Sequence, residues 1–247
     1  MRSLVGAWRL ARLTLHIFAG LLAVSRFGAY DKAQRHSVVR SWSRRTLNLL
    51  GVTVNVQGQP HLGPKLLVSN HVSWLDIAAV HALMPEARFV SKADVRHWPL
   101  VGKLVNAGGT LYIERSSKRD ALRVVHQVAD ALKSGDTVAF FPEGTTGAGP
   151  ELLPFHGNLL QAAIATESLV QPMALRWHEP GERFSSSARF IGNTTLVQSL
   201  WAIACARDLA IELKLMPVQK TSHEAERRAL AEGLREKIGA ALANGNP

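Results

Sequence analysis

The stretch that decides the fold reads KLLVSNHVSWLDI and covers residues 65–77. Its first five residues, 65–69, form an apolar run that stops at Asn70, which predicts a short buried strand. From Trp74 onward the apolar residues recur at helical spacing, so a helix is expected over residues 74–83. A buried strand that passes through a polar turn into a helix is typical of layered α/β proteins.

The alternation of short strands and helices continues on both sides of this stretch, from residue 51 to the C-terminus. Strands are expected at residues 53–56, 65–69, 88–91, 110–113, 137–141, 170–175, 189–191 and 211–216. Helices are expected at residues 74–83, 98–105, 119–133, 158–165 and 223–242. This order predicts an α/β fold, a layered mixed sheet flanked by helices, with residues 51–247 as one domain.

Residues 1–50 differ from this body in charge. The chain has a net charge of +10, and nine basic residues against one acidic residue place +8 of it in residues 1–50. An apolar stretch at 13–24 and an amphipathic pattern at 38–50 predict two arginine-rich helices. The first stretch is too short to span a bilayer, which needs about 20 apolar residues. We therefore predict a helical anchor on an anionic membrane surface, with tryptophans at the interface.

Other interpretations of residues 1–50 stay open. A signal peptide fits Arg9 and Arg12 before an apolar stretch, but no cleavage site with a neutral mature start follows. A basic helical hairpin packed on the domain is the simplest alternative. Nucleic acid is not an expected partner, because the chain has no signature of a recognition fold.

The composition excludes several other classes of protein. Hydrophobic residues make up 47% of the chain and charged residues 19%, which disfavours intrinsic disorder. No uninterrupted run of about 18 apolar residues occurs, so a polytopic membrane protein is not expected. Cys205 is the single cysteine, which excludes an intrachain disulfide framework and a multi-cysteine metal site.

The first chemical motif is the pair His71 and Asp76. On one helix their spacing would separate them by about 140°. They can meet if His71 lies in the turn and Asp76 in the first helical turn, with Asn70 or Ser73 as the cap. A carboxylate bonded to one imidazole nitrogen fixes the tautomer and leaves the other nitrogen as a general base. The same spacing also fits a loop histidine and a structural aspartate at a helix start.

Polar groups also follow other predicted strands. The segment GGTLYIER ends with Glu114 and Arg115, whose guanidinium suits a phosphate or carboxylate. The segment FPEG places Glu143 and Gly144 after a buried strand, and Gly144 allows close approach of a ligand to the backbone. Ligands of open α/β sheets bind at the carboxyl ends of strands, so these residues are candidates for one site. Each motif taken singly also fits a purely structural role.

Taken in order, the motifs resemble those of the glycerolipid acyltransferase family, typified by lysophosphatidic acid acyltransferases. The first family motif, NHxSxxD, is matched by Asn70, His71, Ser73 and Asp76. The second is matched by Gly109, Tyr112, Ile113, Glu114 and Arg115, the third (FPEGTRS) by Phe141 to Thr145, and the fourth by Val170 and Pro172. The resemblance covers roughly residues 50–215.

The resemblance implies transfer of an acyl group from acyl-CoA or acyl carrier protein to the hydroxyl of 1-acylglycerol-3-phosphate, giving phosphatidic acid. His71 would then be the general base and Asp76 its orienting carboxylate, with Ser73 or backbone N–H groups near the helix start stabilising the oxyanion. The implied substrate-binding residues are Lys92, Glu114, Arg115, Glu143, Gly144, Thr145 and Pro172. No metal or cofactor is implied. The expected location is the cytoplasmic face of a bacterial inner membrane, in monotopic or peripheral attachment.

The chain departs from the family pattern at Thr146 and Gly147, where the family usually has Arg and Ser. The family arginine helps to hold the acceptor phosphate, so its absence leaves the acceptor open. A lyso-ornithine lipid or another lysolipid is the alternative acceptor, and a non-enzymatic lipid-binding membrane adaptor is the second alternative. A serine hydrolase is disfavoured because a GxSxG motif is missing.

Overall fold

The computed structural model describes residues 2–114 and 118–244. The strands are β1 (Thr53–Gln57), β2 (Lys65–Ser69), β3 (Ala87–Lys92), β4 (Leu111–Ile113), β5 (Thr137–Phe140), β6 (Leu169–His178), β7 (Ala210–Leu215) and β8 (Gln219–Lys220). The helices are α1 (Arg2–Val24), α2 (Lys32–Leu50), α3 (Asp76–Leu83), α4 (Val101–Ala107), α5 (Lys118–Lys133), α6 (Leu160–Ala165), α7 (Leu196–Cys205) and α8 (Arg227–Ala243). The predicted layered α/β sheet flanked by helices is confirmed.

The eight strands form one mixed sheet in the order β1-β7-β6-β2-β5-β3-β4, with β8 paired to β6. The pairings of β6 with β7 and with β8 are antiparallel, and the others are parallel. Strand β2 lies near the centre and is buried along its whole length, as expected for a strand covered on both faces. Because β2 to β5 run in the same direction, the motifs that follow them all reach one edge of the sheet.

Two apolar cores lie on the two faces of the sheet. Leu67 of β2 belongs to the core that α1, α2, α3 and α7 cover, whereas its neighbours Leu66 and Val68 belong to the core under α5, α6 and α8. This division follows from the alternation of side chains along a strand. The sheet is therefore a central layer between two helical layers.

Most predicted elements occur within a few residues of their expected bounds, but one predicted strand is wrong and two elements, α7 and β8, were not predicted. The strand expected at residues 189–191 is wrong, because this segment is irregular and the Phe190 N–H donates to the Val72 carbonyl. Helix α7 was not predicted at all. It begins at a capping box in which Thr195 and Gln198 exchange side-chain and backbone bonds. A threonine three residues before a glutamine is the sequence signal that marks such a start.

Helices α1 and α2 form a hairpin that packs on the body. Leu13, Leu47 and Leu50 belong to the same apolar core as the sheet. The Arg9 guanidinium also donates to the carbonyls of Ala204 and Ala206, both at 3.0 Å. Among the described residues, α1 is the helix that is long and apolar enough to cross a membrane by length and composition. The length argument drawn from residues 13–24 is therefore wrong, because the helix has 23 residues.

Candidate active site

The predicted meeting of His71 and Asp76 occurs in the turn between β2 and α3. The His71 Nδ1 atom lies 2.8 Å from Asp76 Oδ2. His71 lies in the turn and Asp76 is the first residue of the helix, as the spacing requires. The Asp76 side chain is fully buried, whereas 17% of the His71 side chain is exposed. The pair therefore has an enclosed carboxylate and an imidazole that reaches the surface.

Four N–H groups converge on the Asp76 carboxylate. Besides His71, the backbone N–H groups of Val72 and Ser73 donate to Oδ2 at 2.8 and 3.0 Å. The indole N–H of Trp177 donates to Oδ1 at 2.6 Å. A carboxylate surrounded by donors acts only as an acceptor, so the His71 Nδ1 atom carries the proton. In its neutral form the ring then keeps a lone pair on Nε2, the atom that a general base needs.

The plane of the His71 ring is set by a neighbouring aromatic side chain. Phe141, directly after β5, stacks on His71 with 4.0 Å between ring centroids and 3° between planes. Phe89 of β3 stacks behind Phe141 at 5.6 Å. Together with the bond to Asp76, this stack limits rotation of the imidazole about both of its side-chain torsions. Three strands that are distant in sequence thus fix one ring.

Glu143 connects the loop that carries His71 to the loop that carries Leu153. Its carboxylate accepts the backbone N–H of His71 at 2.8 Å and the backbone N–H of Leu153 at 2.9 Å. The side chain is only 4% exposed. Burial raises the pKa of Glu143, and the two N–H bonds oppose that rise. In this position Glu143 supports the loop that carries His71, which is one of the two roles that the sequence left open.

Two glycines allow the third motif to pass close to the first. Gly144 adopts φ 71°, a left-handed conformation that favours glycine. The Gly147 N–H donates to the His71 carbonyl at 2.7 Å. A Cβ atom at position 147 would lie 3.1 Å from the Glu143 carboxylate. A glycine here, at one of the two departures from the family pattern, thus permits the loop to close on the turn.

Asn70 and Ser73 have structural positions in the turn. The Asn70 side chain donates to the Leu175 carbonyl and accepts the Leu175 N–H, both at 2.8 Å, which extends the pairing of β2 with β6. Ser73 is fully buried, and its N–H is occupied by Asp76. The expectation that Ser73 and the backbone N–H groups beside it stabilise an oxyanion is therefore not supported by this placement.

Among the described residues, three of the remaining predicted ones lie at or near the same edge, and Pro172 does not. Lys92 ends β3, Glu114 follows β4, and Thr145 follows Gly144; all three are exposed. The Glu114 N–H donates to Asp120 at 2.6 Å. Pro172 instead lies buried inside β6, in register with Val68. Arg115 lies outside the described residues. Contacts of these residues with substrate stay predictions.

Sequence reasoning missed Trp177, the donor that completes the Asp76 environment. The two residues are 101 positions apart, and no spacing rule connects them. The apolar run at residues 170–175 predicted a strand that ends before Trp177, whereas β6 continues to His178. The longer strand carries the indole past the sheet edge to the carboxylate. A tryptophan at the end of a buried strand was the one signal available.

A histidine–carboxylate pair at the carboxyl edge of an α/β sheet defines a class of enzymes that activate a hydroxyl or water by general-base catalysis. In the described part of the chain, His71 bonds to no serine or cysteine side chain, so the geometry contains no nucleophile–base pair. A sequence model of the family described as Acyltransferase matches residues 52–176. The chain belongs to this acyltransferase family.

Two bacterial acyltransferases are similar to this chain over most of its length. A 1-acyl-sn-glycerol-3-phosphate acyltransferase of Neisseria gonorrhoeae is 33% identical over 96% of this chain and 92% of its own length. A lyso-ornithine lipid O-acyltransferase of Pseudomonas aeruginosa is 35% identical over 87% of this chain and 82% of its own length. The crystal structure of the 1-acyl-sn-glycerophosphate acyltransferase of Thermotoga maritima has the same fold, with a TM-score of 0.70, 19% identity and full coverage of both chains.

Proposed function

We propose that the protein transfers a fatty acyl group from acyl-CoA or acyl carrier protein to the free hydroxyl of 1-acylglycerol-3-phosphate, forming phosphatidic acid. The observation that carries this proposal is the His71–Asp76 pair at 2.8 Å, in a chain whose relatives include acyltransferases of that name. The pair offers one basic nitrogen at the surface and a buried carboxylate behind it. Such an arrangement suits removal of a proton from an alcohol.

The proposed reaction needs no covalent acyl-enzyme. The lone pair on His71 Nε2 takes the proton of the acceptor hydroxyl while its oxygen attacks the thioester carbonyl. Collapse of the tetrahedral intermediate breaks the C–S bond, and the proton on His71 passes to the thiolate that leaves. Asp76 stabilises the imidazolium formed in between, because a charged hydrogen bond is stronger than a neutral one. Trp177 and the two backbone N–H groups hold Asp76 in place during this cycle.

The acceptor of such a reaction is a membrane lipid, and the hairpin of α1 and α2 is the proposed anchor. Its outer surface carries apolar side chains that are at least half exposed, among them Leu4, Trp8, Leu15, Phe18 and Leu22. Leu13 on the opposite side is buried in the core, so a bilayer-spanning α1 would withdraw it from the body. This argument supports monotopic attachment, on the cytoplasmic face where acyl-CoA and acyl carrier protein are available.

The test is a thioester-dependent assay against a panel of lysolipids, with products read by mass spectrometry. We expect wild-type protein to acylate 1-acylglycerol-3-phosphate, and His71→Ala to lower turnover by a factor on the order of 10³. His126→Ala, which removes an exposed histidine on α5, is the matched control and should keep full turnover. Equal turnover in wild type and His71→Ala would refute the general base.

A lyso-ornithine lipid is the second candidate acceptor, and residue 146 is the observation that favours it. Thr146 replaces the family arginine, and its hydroxyl donates to the Phe190 carbonyl within the loop. Position 146 therefore offers no positive charge to an acceptor phosphate. The relative from Pseudomonas aeruginosa carries the lyso-ornithine name at 35% identity. Preferred acylation of lyso-ornithine lipid in the same panel would replace the first acceptor and leave the chemistry at His71 unchanged.

A further inference from the structure

An open groove of about 720 Å³ lies between α1 and α2, away from the catalytic edge. Its lining residues are Arg12, Leu15, His16, Ala19, Ser37, Val38, Ser41, Trp42, Arg45 and Leu49. We call it the hairpin groove. It contains apolar side chains, two arginines and no acidic side chain. A surface of that composition suits a ligand with an apolar body and an anionic group.

The floor of the hairpin groove is a stacked pair from the two helices. The rings of His16 and Trp42 lie 5.1 Å apart at 14°. The His16 Nε2 atom donates to the Trp42 carbonyl at 3.0 Å, and the Trp42 indole N–H donates to the His16 carbonyl at 3.3 Å. Burial lowers the pKa of His16, so the floor is neutral at pH 7. The pair presents ring surface to the groove and keeps no charge of its own.

The two arginines lie at the same level of the hairpin. Arg12 comes one turn before His16 on α1, and Arg45 comes one turn after Trp42 on α2. The helices run antiparallel, since His16 pairs with Trp42 while Arg9 lies against Gly51. A position one turn earlier on α1 therefore lies opposite a position one turn later on α2, so Arg12 and Arg45 line the groove from opposite helices. The Arg12 guanidinium lies over the Trp8 ring of its own helix, 5.8 Å from the ring centroid, so a phosphate must draw it from that ring.

Ala19 and Val38 lie at the other end of the groove by the same reasoning, beside the small side chains of Ser37 and Ser41. Ala19 lies one turn after His16, and Val38 lies one turn before Trp42. The two ends are about 10 Å apart, because seven residues of helix rise 1.5 Å each. Leu15 lines the groove and is also 71% exposed, so the groove opens onto the outer apolar surface of α1. An acyl chain held in the groove would therefore continue onto the apolar surface of α1, which we propose faces the membrane.

We propose that the hairpin groove binds one acidic glycerophospholipid, with its phosphate between Arg12 and Arg45 and an acyl chain along Ala19 and Val38. This inference rests on the proposed membrane attachment of the hairpin and goes beyond it, because general attachment needs no defined lipid site. Phosphate is the preferred partner of a pair of guanidinium groups. The continuity with an apolar surface selects a lipid rather than a free phosphate.

The experiment is native mass spectrometry of the full chain in detergent with phosphatidylglycerol, compared with phosphatidylcholine. Wild-type protein should retain one phosphatidylglycerol molecule, and Arg12→Gln/Arg45→Gln should retain about tenfold less or lower. The matched control, Arg26→Gln/Arg40→Gln, removes the same charge from exposed positions outside the groove and should retain wild-type levels. Equal retention by the two double variants would overturn the proposed site.

A second variant tests the groove without changing any charge. Ala19→Trp places an indole at the apolar end, and we expect it to expel the lipid while the arginine pair stays intact. Ala33→Trp adds the same indole to an exposed position of α2 outside the groove and should retain the lipid. Circular dichroism checks that both variants keep their helices. Retention by Ala19→Trp at the wild-type level would contradict the proposed path of the acyl chain.

Sedimentation with phosphatidylglycerol vesicles separates this inference from the attachment on which it rests. Each arginine near an anionic surface contributes about fivefold to binding, so both double variants should lose vesicle affinity alike. Loss of retained lipid in the groove variant alone supports the site. If wild-type protein fails to sediment, the membrane attachment itself is wrong. If it sediments while the groove variant still retains lipid in detergent, the attachment stands and the lipid site is refuted.

Discussion

The catalytic edge and the helical hairpin differ in which side chains they bury and which they expose. At the edge, charged and polar side chains are buried and bonded: Asp76 is fully enclosed and Glu143 is 4% exposed. On the hairpin, apolar side chains are outside, with Leu15 at 71% and Trp8 at 64% exposure. A buried polar network holds a fixed geometry, which proton transfer requires. An exposed apolar surface is instead stabilised by contact with an apolar partner, which here is the proposed membrane.

Helix α7 connects these two regions. The Trp74 indole N–H, in the turn before Asp76, donates to the Ser199 hydroxyl at 3.0 Å. At the other end of α7, the Ala204 carbonyl accepts the Arg9 guanidinium of α1. The two regions are therefore mechanically joined, although their chemistry differs. Variants can test whether a substitution in one region changes turnover or membrane binding in the other.

The largest expected effect is that of Asp76→Asn. The amide can offer one oxygen to the donors around it, so its NH₂ group must face either the Trp177 indole or the His71 side of the site. Turnover should fall by a factor on the order of 10³, the same as for His71→Ala, because the imidazole loses its fixed tautomer. Stability should fall by about 1–3 kcal/mol from the donor–donor conflict. Steady-state kinetics and urea unfolding measure the two effects, and vesicle binding should not change.

The variant Asp76→Asn/Trp177→Phe isolates the conflict. A phenylalanine at position 177 has no N–H group, so the amide NH₂ of the asparagine can point toward it without meeting another donor. We expect the double variant to unfold at a higher urea concentration than Asp76→Asn alone while its turnover stays low. If the two substitutions acted independently, their losses of stability would add, and the double variant would be less stable than Asp76→Asn. That result would show that the Trp177 bond does not constrain Asp76 in this way.

An intermediate effect is expected in the hairpin for Gly20→Ala. A Cβ atom there would lie 2.4 Å from the Trp42 indole nitrogen, so the stacked pair must shift. Overpacking of this kind costs about 1–3 kcal/mol. Gly28→Ala, where a Cβ meets nothing within 4 Å, is the control. Near-ultraviolet dichroism and unfolding should separate the variants, while turnover on a dispersed lysolipid stays at the wild-type level. A tenfold loss of turnover would show that hairpin and site are coupled.

The smallest expected effect is a pH dependence at Glu143. Burial raises the pKa of Glu143, so the folded state binds its proton more tightly than the unfolded chain. Its contribution to stability is therefore full below about pH 4.3, the ordinary pKa of glutamate, and is lost as pH rises through the raised pKa. Glu143→Gln does not titrate. The stability of wild type relative to Glu143→Gln should therefore decline from acidic to neutral pH.

Urea unfolding of both proteins across that pH range measures this difference. A relative stability of wild type that rises with pH would contradict the direction of the pKa shift. It would mean that the N–H bonds from His71 and Leu153 outweigh burial. Either result reports on the loops around the site, because the Glu143 carboxylate accepts the N–H groups of His71 and Leu153.

Sequence reasoning worked best where the signal was local. Strand β2 was predicted at its observed bounds, because an apolar run ended by a polar residue leaves little choice of structure. It was wrong at residues 189–191, where an irregular segment is held to the first motif by a backbone hydrogen bond from the Phe190 N–H to the Val72 carbonyl. It also underestimated α1, because the helix continues through basic residues such as Arg9 and Arg12 that interrupt the apolar run. Packing against α2 and α7 stabilises those turns, and no periodicity records it.

The sequence by itself determined the alternation of strands and helices, the excess of positive charge in residues 1–50, and the local pairing of His71 with Asp76. These features depend on residues a few positions apart, where backbone geometry limits the arrangements. Only the tertiary structure decided that Trp177 completes the carboxylate, that Phe141 fixes the imidazole plane and that Arg12 and Arg45 line the same groove. Those contacts join residues far apart in the chain, so they follow from the sheet order and the helix crossing rather than from any local pattern.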